Sequence, residues 1–361
     1  MIALSVNKGV EVHPKEQGLS IKIIDRKTNE VLKAVKKFNK PIVINETFYR
    51  DLFFFVVKNN KIITFDLPPF ETVVIEVHST ALGDQIAWIP IIDLFQKKHN
   101  CRVVVRCYFP DLFKRFYPNL EFRRQYFVGE TIEQEDVVNA TAVYIIGYAI
   151  AGEMDKGNRI SPVDCRTTSL QHIACHQLGI EPQEVVPKFR SNIIGRMIKD
   201  KYVCITTCGT ARMKLWNNPN GFPDVIKFLN NLGYKVIDLG LHSDHLEGTI
   251  SMNGKLEWNE LMNILQHADL MVSTTNGLQW MAWAVGTNVI SINGNCMPDM
   301  VFNTKHTQVI NTDVCHGCFN DPKEVFNSND VNYCPRKKNF ECSTQISSEM
   351  VINEINKKIC Q

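Results

Sequence analysis

The chain has 361 residues, 44% of them hydrophobic and 22% charged, which is enough apolar content to bury the cores of more than one folded unit. Forty basic side chains against thirty-eight acidic ones leave a net charge of +2, so no global field recruits nucleic acid or an anionic membrane. The longest apolar runs, such as VYIIGYAIAG, fall well short of the roughly 20 residues a membrane helix needs, and neither a membrane span nor a nucleic-acid partner is expected.

The first residues, MIALSVNKGVEVHPKEQG, lack the basic start, apolar stretch and small-residue cleavage site of a secretory leader, so a cytoplasmic location is expected. Residues 1–70 alternate short β-prone runs (SIKIID, PIVINE, DLFFFVVK) with polar clusters, and Lys58-Asn59-Asn60-Lys61 reads as a hairpin turn. They predict an N-terminal all-β domain, ended by Pro68 and Pro69, which cannot donate to a sheet ladder. From there the texture changes. A strand at TVVIEV leads to a helix from about Gln85 to Lys98; strands at CRVVVRCYF and ATAVYIIGY follow, then a helix in TTSLQHIACHQLGI ending at Gly179. A second series runs through the strands KYVCITT, YKVIDLG, DLMVSTT and NVISING with amphipathic helices between them. Near-continuous apolar strands joined by helices predict parallel sheets covered on both faces, hence an α/β class with two successive halves. Ligands of such sheets bind beyond the carboxyl ends of the strands.

Four stretches carry chemistry. Ser79-Thr80-Ala81-Leu82-Gly83-Asp84 sets small residues and one carboxylate at a helix start, where Asp84 is a candidate general base; plain N-capping is the competing reading. TTCGTARMKLWNN brings Arg212 and Lys214 into a loop at a strand end, where a cation would neutralise a departing diphosphate, and Trp216 beside them argues against a merely solvated loop. In STTNGLQW a strand ends at Thr274-Thr275-Asn276-Gly277 and a helix opens at once, presenting amides to phosphate oxygens without being a P-loop or a GxGxxG fingerprint. His242 and His245, after YKVIDLG, are weaker candidates for touching a ribose or base. Finally, Cys315 and Cys318 form a CxxC knuckle, followed by Cys334 after fifteen residues and Cys342 after seven more. Four soft ligands at that spacing predict a closed structural site for tetrahedral zinc or mononuclear iron, with an iron–sulfur cluster also chemically open. The remaining eight cysteines show no ligand spacing and are expected to pack.

Taken together, STALGDQIAWIP, GTARMKLWNNPNGFPDVIKFLNNLGYKVIDLG, STTNGLQWMAWAVGTNVISING and the four-Cys segment resemble the bacterial autotransporter heptosyltransferases, relatives of the lipopolysaccharide heptosyltransferases. The resemblance implies a GT-B arrangement of two Rossmann-like halves, behind an N-terminal β-rich domain at 1–70. It places the acceptor-side half at 71–195, the nucleotide-sugar half at 196–312, a four-Cys metal finger at 313–345 and a C-terminal helix at 346–361. It implies transfer of heptose from ADP-heptose, with inversion, to serine hydroxyls of an autotransporter passenger, with Asp84 as catalytic base. Donor contacts would come from Thr206, Lys214, Thr274, Thr275, Asn276, Gly277 and Leu278, with Leu82, Gly83, Arg212 and Trp216 in acceptor or loop support. The same kinship implies iron on Cys315, Cys318, Cys334 and Cys342, where spacing alone leaves zinc open, and a large homo-oligomer, a dodecamer, around a β-helical acceptor protein. The alternatives are a heptosyltransferase acting on lipopolysaccharide or another glycan, and a non-enzymatic metal-knuckle interaction protein. The near-neutral charge argues against the RNA-binding form of the latter.

Overall fold

The computed structural model describes residues 2–7, 9–125, 139–150, 153–154, 160–240, 246–319, 321, 323–324 and 332–359. Two compact units divide the chain, one formed by residues 1–80, 91–164 and 171–183, the other by residues 81–90, 165–170 and 184–361. The helix Leu82–His99 belongs to both, and the assignment changes after Pro90, whose ring nitrogen withholds a hydrogen bond from the helix ladder. Among the described residues no helix is long and apolar enough to cross a membrane.

The first 70 residues are strands joined by turns: β1 Ile2–Asn7, β2 Val10–Pro14, β3 Leu19–Asp25, β4 Val31–Phe38, β5 Ile42–Ile44, β6 Leu52–Lys58 and β7 Lys61–Asp66. Next come β8 Thr72–Val77, β9 Arg102–Cys107, β10 Glu121–Arg124 and β11 Ala142–Ile146, then the short antiparallel pair β12 Ala149–Ile150 and β13 Glu153–Met154. The β-rich segment does not close a sheet wholly of its own. Strands β1, β2 and β5 continue the parallel set, giving the order β10-β9-β8-β11-β1-β2-β5, parallel as far as β1 and antiparallel beyond it. The other four form an antiparallel sheet, β4-β3-β6-β7. Its period-two burial is plain in β6, where Leu52, Phe54 and Val56 are buried. The turn joining β6 to β7 has Asn59 at φ 47° and Asn60 at φ 60°, the positive pair that a tight hairpin with the strands' own twist requires.

The second unit holds β14 Tyr202–Thr206, β15 Lys235–Asp238, β16 Thr249–Ser251, β17 Leu270–Thr274, β18 Val289–Ile292 and β19 His306–Val309. All are parallel, in the order β16-β15-β14-β17-β18-β19. Numbered within the unit, that is the doubly wound order 3-2-1-4-5-6, and it reverses direction between β14 and β17. Strands β14, β17 and β18 are buried along their whole length, as their unbroken apolar runs require. Helices Gly221–Asn231 and Ser348–Ile359 cover part of the sheet, their residues Phe222, Val225, Leu229, Val351 and Ile355 sharing one core with Val203, Ile205 and Ile290.

Candidate active site

The switch point between β14 and β17 sets two strand ends side by side, with Thr206 paired to Ser273 in the ladder. Thr206 and Thr274 are fully buried and Thr275 nearly so. Asn276 then turns extended (φ −137°, ψ 179°), and its Oδ1 accepts from the Leu278 amide at 2.9 Å, capping the helix Gly277–Ala284. Its Nδ2 donates to the Cys208 carbonyl at 3.2 Å and lies 3.3 Å from Thr274 Oγ1, stitching together the loops that follow β14 and β17. Of the residues expected to cradle phosphate, Asn276 therefore acts as the cap and Leu278 has its amide engaged. Gly277 and Gln279 supply the other amides of a first turn that has no partners within its own helix.

The LGD segment comes against this same turn. A Cβ on Gly83 would stand 2.7 Å from Trp280 Cδ1, and one on Gly277 would stand 2.8 Å from Leu82 Cβ and 3.1 Å from the Gly83 nitrogen. Both contacts are closer than real side chains tolerate, so the two helix starts meet because both positions are glycine. Asp84 falls in the first turn of the helix Leu82–His99, which begins three residues earlier than the sequence predicts; Gln85 N donates to Ala81 O at 3.3 Å. The carboxylate is 8% exposed and sits where the helix dipole favours negative charge.

Arg212 and Lys214 occupy a single 3₁₀ turn, Arg212–Lys214, anchored by buried Met213. Lys214 Nζ lies 5.2 Å from the Phe319 ring centre and the Arg212 guanidinium 5.0 Å from that of Phe340. Trp216 is an anchor of the same loop: its Nε1 donates to Ile346 O at 2.9 Å and its ring meets Phe222 edge-on at 5.0 Å. Leaving that buried N–H without an acceptor would cost about 1–3 kcal/mol.

The charges of Asp84 and Lys214 both bear on one buried sulfur. Burial pushes the Cys296 thiol up to about 11; the Lys214 charge pulls it down, a hydrogen bond with Thr275 does the same, and the Asp84 charge pushes it up. Both charged groups therefore act on the same small region. Thr275 Oγ1 also donates to Asn295 Oδ1 at 2.8 Å. Alongside lies an open pocket of about 850 Å³ lined by Cys208, Gly209, Trp216, Phe222, Ser251 and Asn253 among others. Asn253 Nδ2 donates to Asp238 Oδ2 at 3.0 Å and reaches Ser251 Oγ at 3.1 Å. Sequence reasoning passed over Asp238, Ser251 and Asn253. The signal was an acid closing the second strand of a doubly wound half, where dinucleotide folds carry a ribose-binding carboxylate. His242 and His245 lie outside the described residues.

The four cysteines form one electrostatic set. Burial raises Cys342 to about 12, with Cys318, Cys315 and Cys334 pushing the same way. Burial likewise raises Cys318 to about 11, Arg336 opposes it, and Cys315 and Cys334 reinforce it. Lys338 N donates to Cys334 Sγ at 3.3 Å, and Arg336 Nη1 lies 3.8 Å from Cys315 Sγ while donating to His316 O at 3.0 Å. Among the described residues no three His, Cys, Asp or Glu side chains converge to metal-binding distance. The donor chemistry nonetheless suits a thiophilic cation: burial and the neighbouring sulfurs together resist proton loss, a cation among them would relieve both, and two N–H groups already face sulfur. Of the remaining cysteines, Cys107, Cys175 and Cys204 are buried with thiols raised by burial, as packing residues are, and Cys360 lies outside the described residues.

Comparison with known proteins decides the family. Residues 171–325 match the glycosyltransferase family 9 (heptosyltransferase). The autotransporter heptosyltransferase TibC of Escherichia coli O78:H11 (strain H10407 / ETEC) is 32% identical over 302 residues, 79% of this chain and 71% of TibC. The autotransporter heptosyltransferase BAHTCr of Citrobacter rodentium (strain ICC168) is 31% identical over 79% of this chain and 70% of its own. The chain belongs to the autotransporter heptosyltransferases. It is a glycosyltransferase with the family's α/β fold. The crystal structure of iron-containing, dodecameric TibC from enterotoxigenic E. coli H10407 covers 99% of this heptosyltransferase and 95% of TibC, with a TM-score of 0.83 and 26% identity. A second structure of TibC, in complex with ADP-D-beta-D-heptose, gives a TM-score of 0.82 and 25% identity over 99% and 94% of the two chains.

Proposed function

We propose that this heptosyltransferase moves heptose from ADP-heptose to serine hydroxyls of an autotransporter passenger in the cytoplasm, with inversion at the anomeric carbon. Asp84 takes the proton from the attacking hydroxyl as the new C–O bond forms at C1. The bond from C1 to the diphosphate breaks on the opposite side, and ADP leaves with the electron pair. Lys214 faces the diphosphate, and the first turn of the helix Gly277–Ala284, with Thr206, Thr274 and Thr275 behind it, receives its oxygens. Leu82 and Gly83 keep the base against that turn; Arg212 and Trp216 hold the cation loop. The donor occupies the half at 196–312, and the acceptor, a β-helical protein, belongs to the half at 71–195. Cys315, Cys318, Cys334 and Cys342 would hold one iron ion, which crosslinks a polar segment with little core of its own. As in TibC, the chain would assemble into a dodecamer.

The observation that carries this reading is the LGD turn of Asp84 meeting the start of the helix Gly277–Ala284 through paired glycines, with the Asp84 and Lys214 charges both bearing on buried Cys296 nearby. A base and a cation in one region suit a reaction that creates a proton at one end and a phosphate charge at the other. The test is Asp84→Asn, assayed by mass increments on a co-expressed passenger and by calorimetric titration with ADP-heptose. Transfer should fall by about 100-fold or more while donor affinity stays within about threefold. Undiminished turnover would remove Asp84 from the mechanism.

A further inference from the structure

We infer that Phe319 is a positioning residue for the donor site, holding the Lys214 ammonium in place and joining the four-Cys segment to the phosphate-side loops. The inference rests on reading Lys214 as the cation that meets the diphosphate. Phe319 directly follows Cys318, and two contacts and a relay through Asn295 lead from it. Its ring lies under Lys214 Nζ, 5.2 Å from centre to nitrogen. Its amide donates to Asn295 O at 2.8 Å. Asn295 in turn accepts, through Oδ1, the 2.8 Å hydrogen bond of Thr275 Oγ1 at the carboxyl end of β17. One residue of the cysteine segment thus touches the cation loop and, through a single intermediary, the loop that opens the helix Gly277–Ala284.

The surroundings make this a braced contact. Gly317 N donates to Gly294 O at 3.0 Å, and Gly294 is so close to Cys342 that an added Cβ would stand 2.5 Å from its carbonyl oxygen. Met213, between the two cations, shares an apolar cluster with Cys318 and Phe340, against which Phe319 packs. Farther along, Asn217 Nδ2 donates to Ser343 Oγ at 2.8 Å. The loop that carries Lys214 therefore rests on the cysteine segment from Met213 to Asn217.

A lysine on a free four-carbon stem loses rotamer freedom when it clamps an anion, and that loss weakens binding. An aromatic face beneath the ammonium restricts the stem beforehand while leaving its N–H groups to the incoming phosphate. Phe319 is suited to this because a ring attracts a cation without supplying a hydrogen-bond acceptor that would compete with the ligand.

The experiment is a double-mutant cycle on the full-length, metal-loaded protein, reading ADP affinity by calorimetry for wild type, Phe319→Leu, Lys214→Ala and the double variant. The acylation rate of Lys214 by an N-hydroxysuccinimide acetate ester, read by peptide mass spectrometry, is measured in parallel. Phe319→Leu should weaken ADP by about threefold to tenfold, Phe319→Tyr by less than about twofold, and Phe319→Leu should change nothing further once Lys214 is alanine. Lys214 should acylate faster in Phe319→Leu. Replacing Phe319 with pentafluorophenylalanine keeps the shape and removes the negative ring face, so it should reproduce the leucine effects even where leucine unsettles the fold. Additive losses in the cycle, or unchanged Lys214 acylation in the leucine and pentafluoro variants, would overturn the inference. A Lys214→Ala variant with wild-type ADP affinity would instead strike the phosphate role of Lys214, and the acylation rates would then decide on Phe319 alone.

Discussion

Gly83 and Gly277 are the residues on which the candidate site turns, because each lets a backbone come within about a methyl group's width of the other's helix start. Alanine at either position must displace Trp280 or Leu82, and overpacking of that kind costs about 1–3 kcal/mol. Gly83→Ala and Gly277→Ala should each lower the melting temperature, and should raise the donor KM by more than an equally destabilising core change such as Val225→Ala. A KM that followed stability alone in all three variants would show that the glycines serve packing and not the site. The sequence makes both glycines visible as turn residues, yet nothing in either segment signals that they face one another. Contacts between distant segments are fixed by the sheet order, which local patterns do not encode. The same holds for Asp238 and Asn253, whose bond joins the ends of neighbouring strands, and for the Phe319 ring beneath Lys214.

At the scale of elements, the four-Cys segment packs against the loop that carries Arg212 and Lys214. Arg336 binds it from within, donating through Nε to Glu324 at 2.8 Å and through Nη2 to Asp321 at 2.8 Å, while Arg166 reaches Asp321 at 3.3 Å and Gly317 O at 3.3 Å. A segment that charge pairs and, as proposed, an iron ion hold together, with a small apolar cluster among its described residues, should loosen as one piece when the metal is withdrawn. Stripping the proposed iron with a chelator should raise amide exchange by about tenfold or more across 313–345 and 211–218, while β14, β17 and β18 stay protected, as hydrogen-exchange mass spectrometry will report. Exchange that changes in 313–345 alone would disconnect the segment from the 211–218 loop. The elements themselves were the most legible feature of the sequence. The apolar runs YVCIT and LMVST are the buried strands β14 and β17, and Asn59-Asn60 is the hairpin turn. Gly179, at φ 63°, follows the helix Leu170–Gln177 as the C-terminal signal predicts. The start of the helix Leu82–His99 was less legible, since a glycine and an aspartate next to a turn read as loop until their first hydrogen bond is seen.

For the whole molecule, the kinship with dodecameric TibC sets an expectation that light scattering can check. The purified chain should elute as a single species of twelve subunits, and a species of one or two chains that transfers heptose at full rate would separate catalysis from assembly. The seven-stranded sheet carries a different consequence, one for biosynthesis. Because β1 pairs with β11 on one side and β2 on the other, β1 takes an interior place whose parallel neighbour, at residues 142–143, is synthesised long after it. Until then the edge of β1 that pairs with β11 has no strand to meet. A nascent chain stalled in that window would be a natural client for holdase chaperones, and deleting β1 would disconnect β2 and β5 from the parallel strands at once.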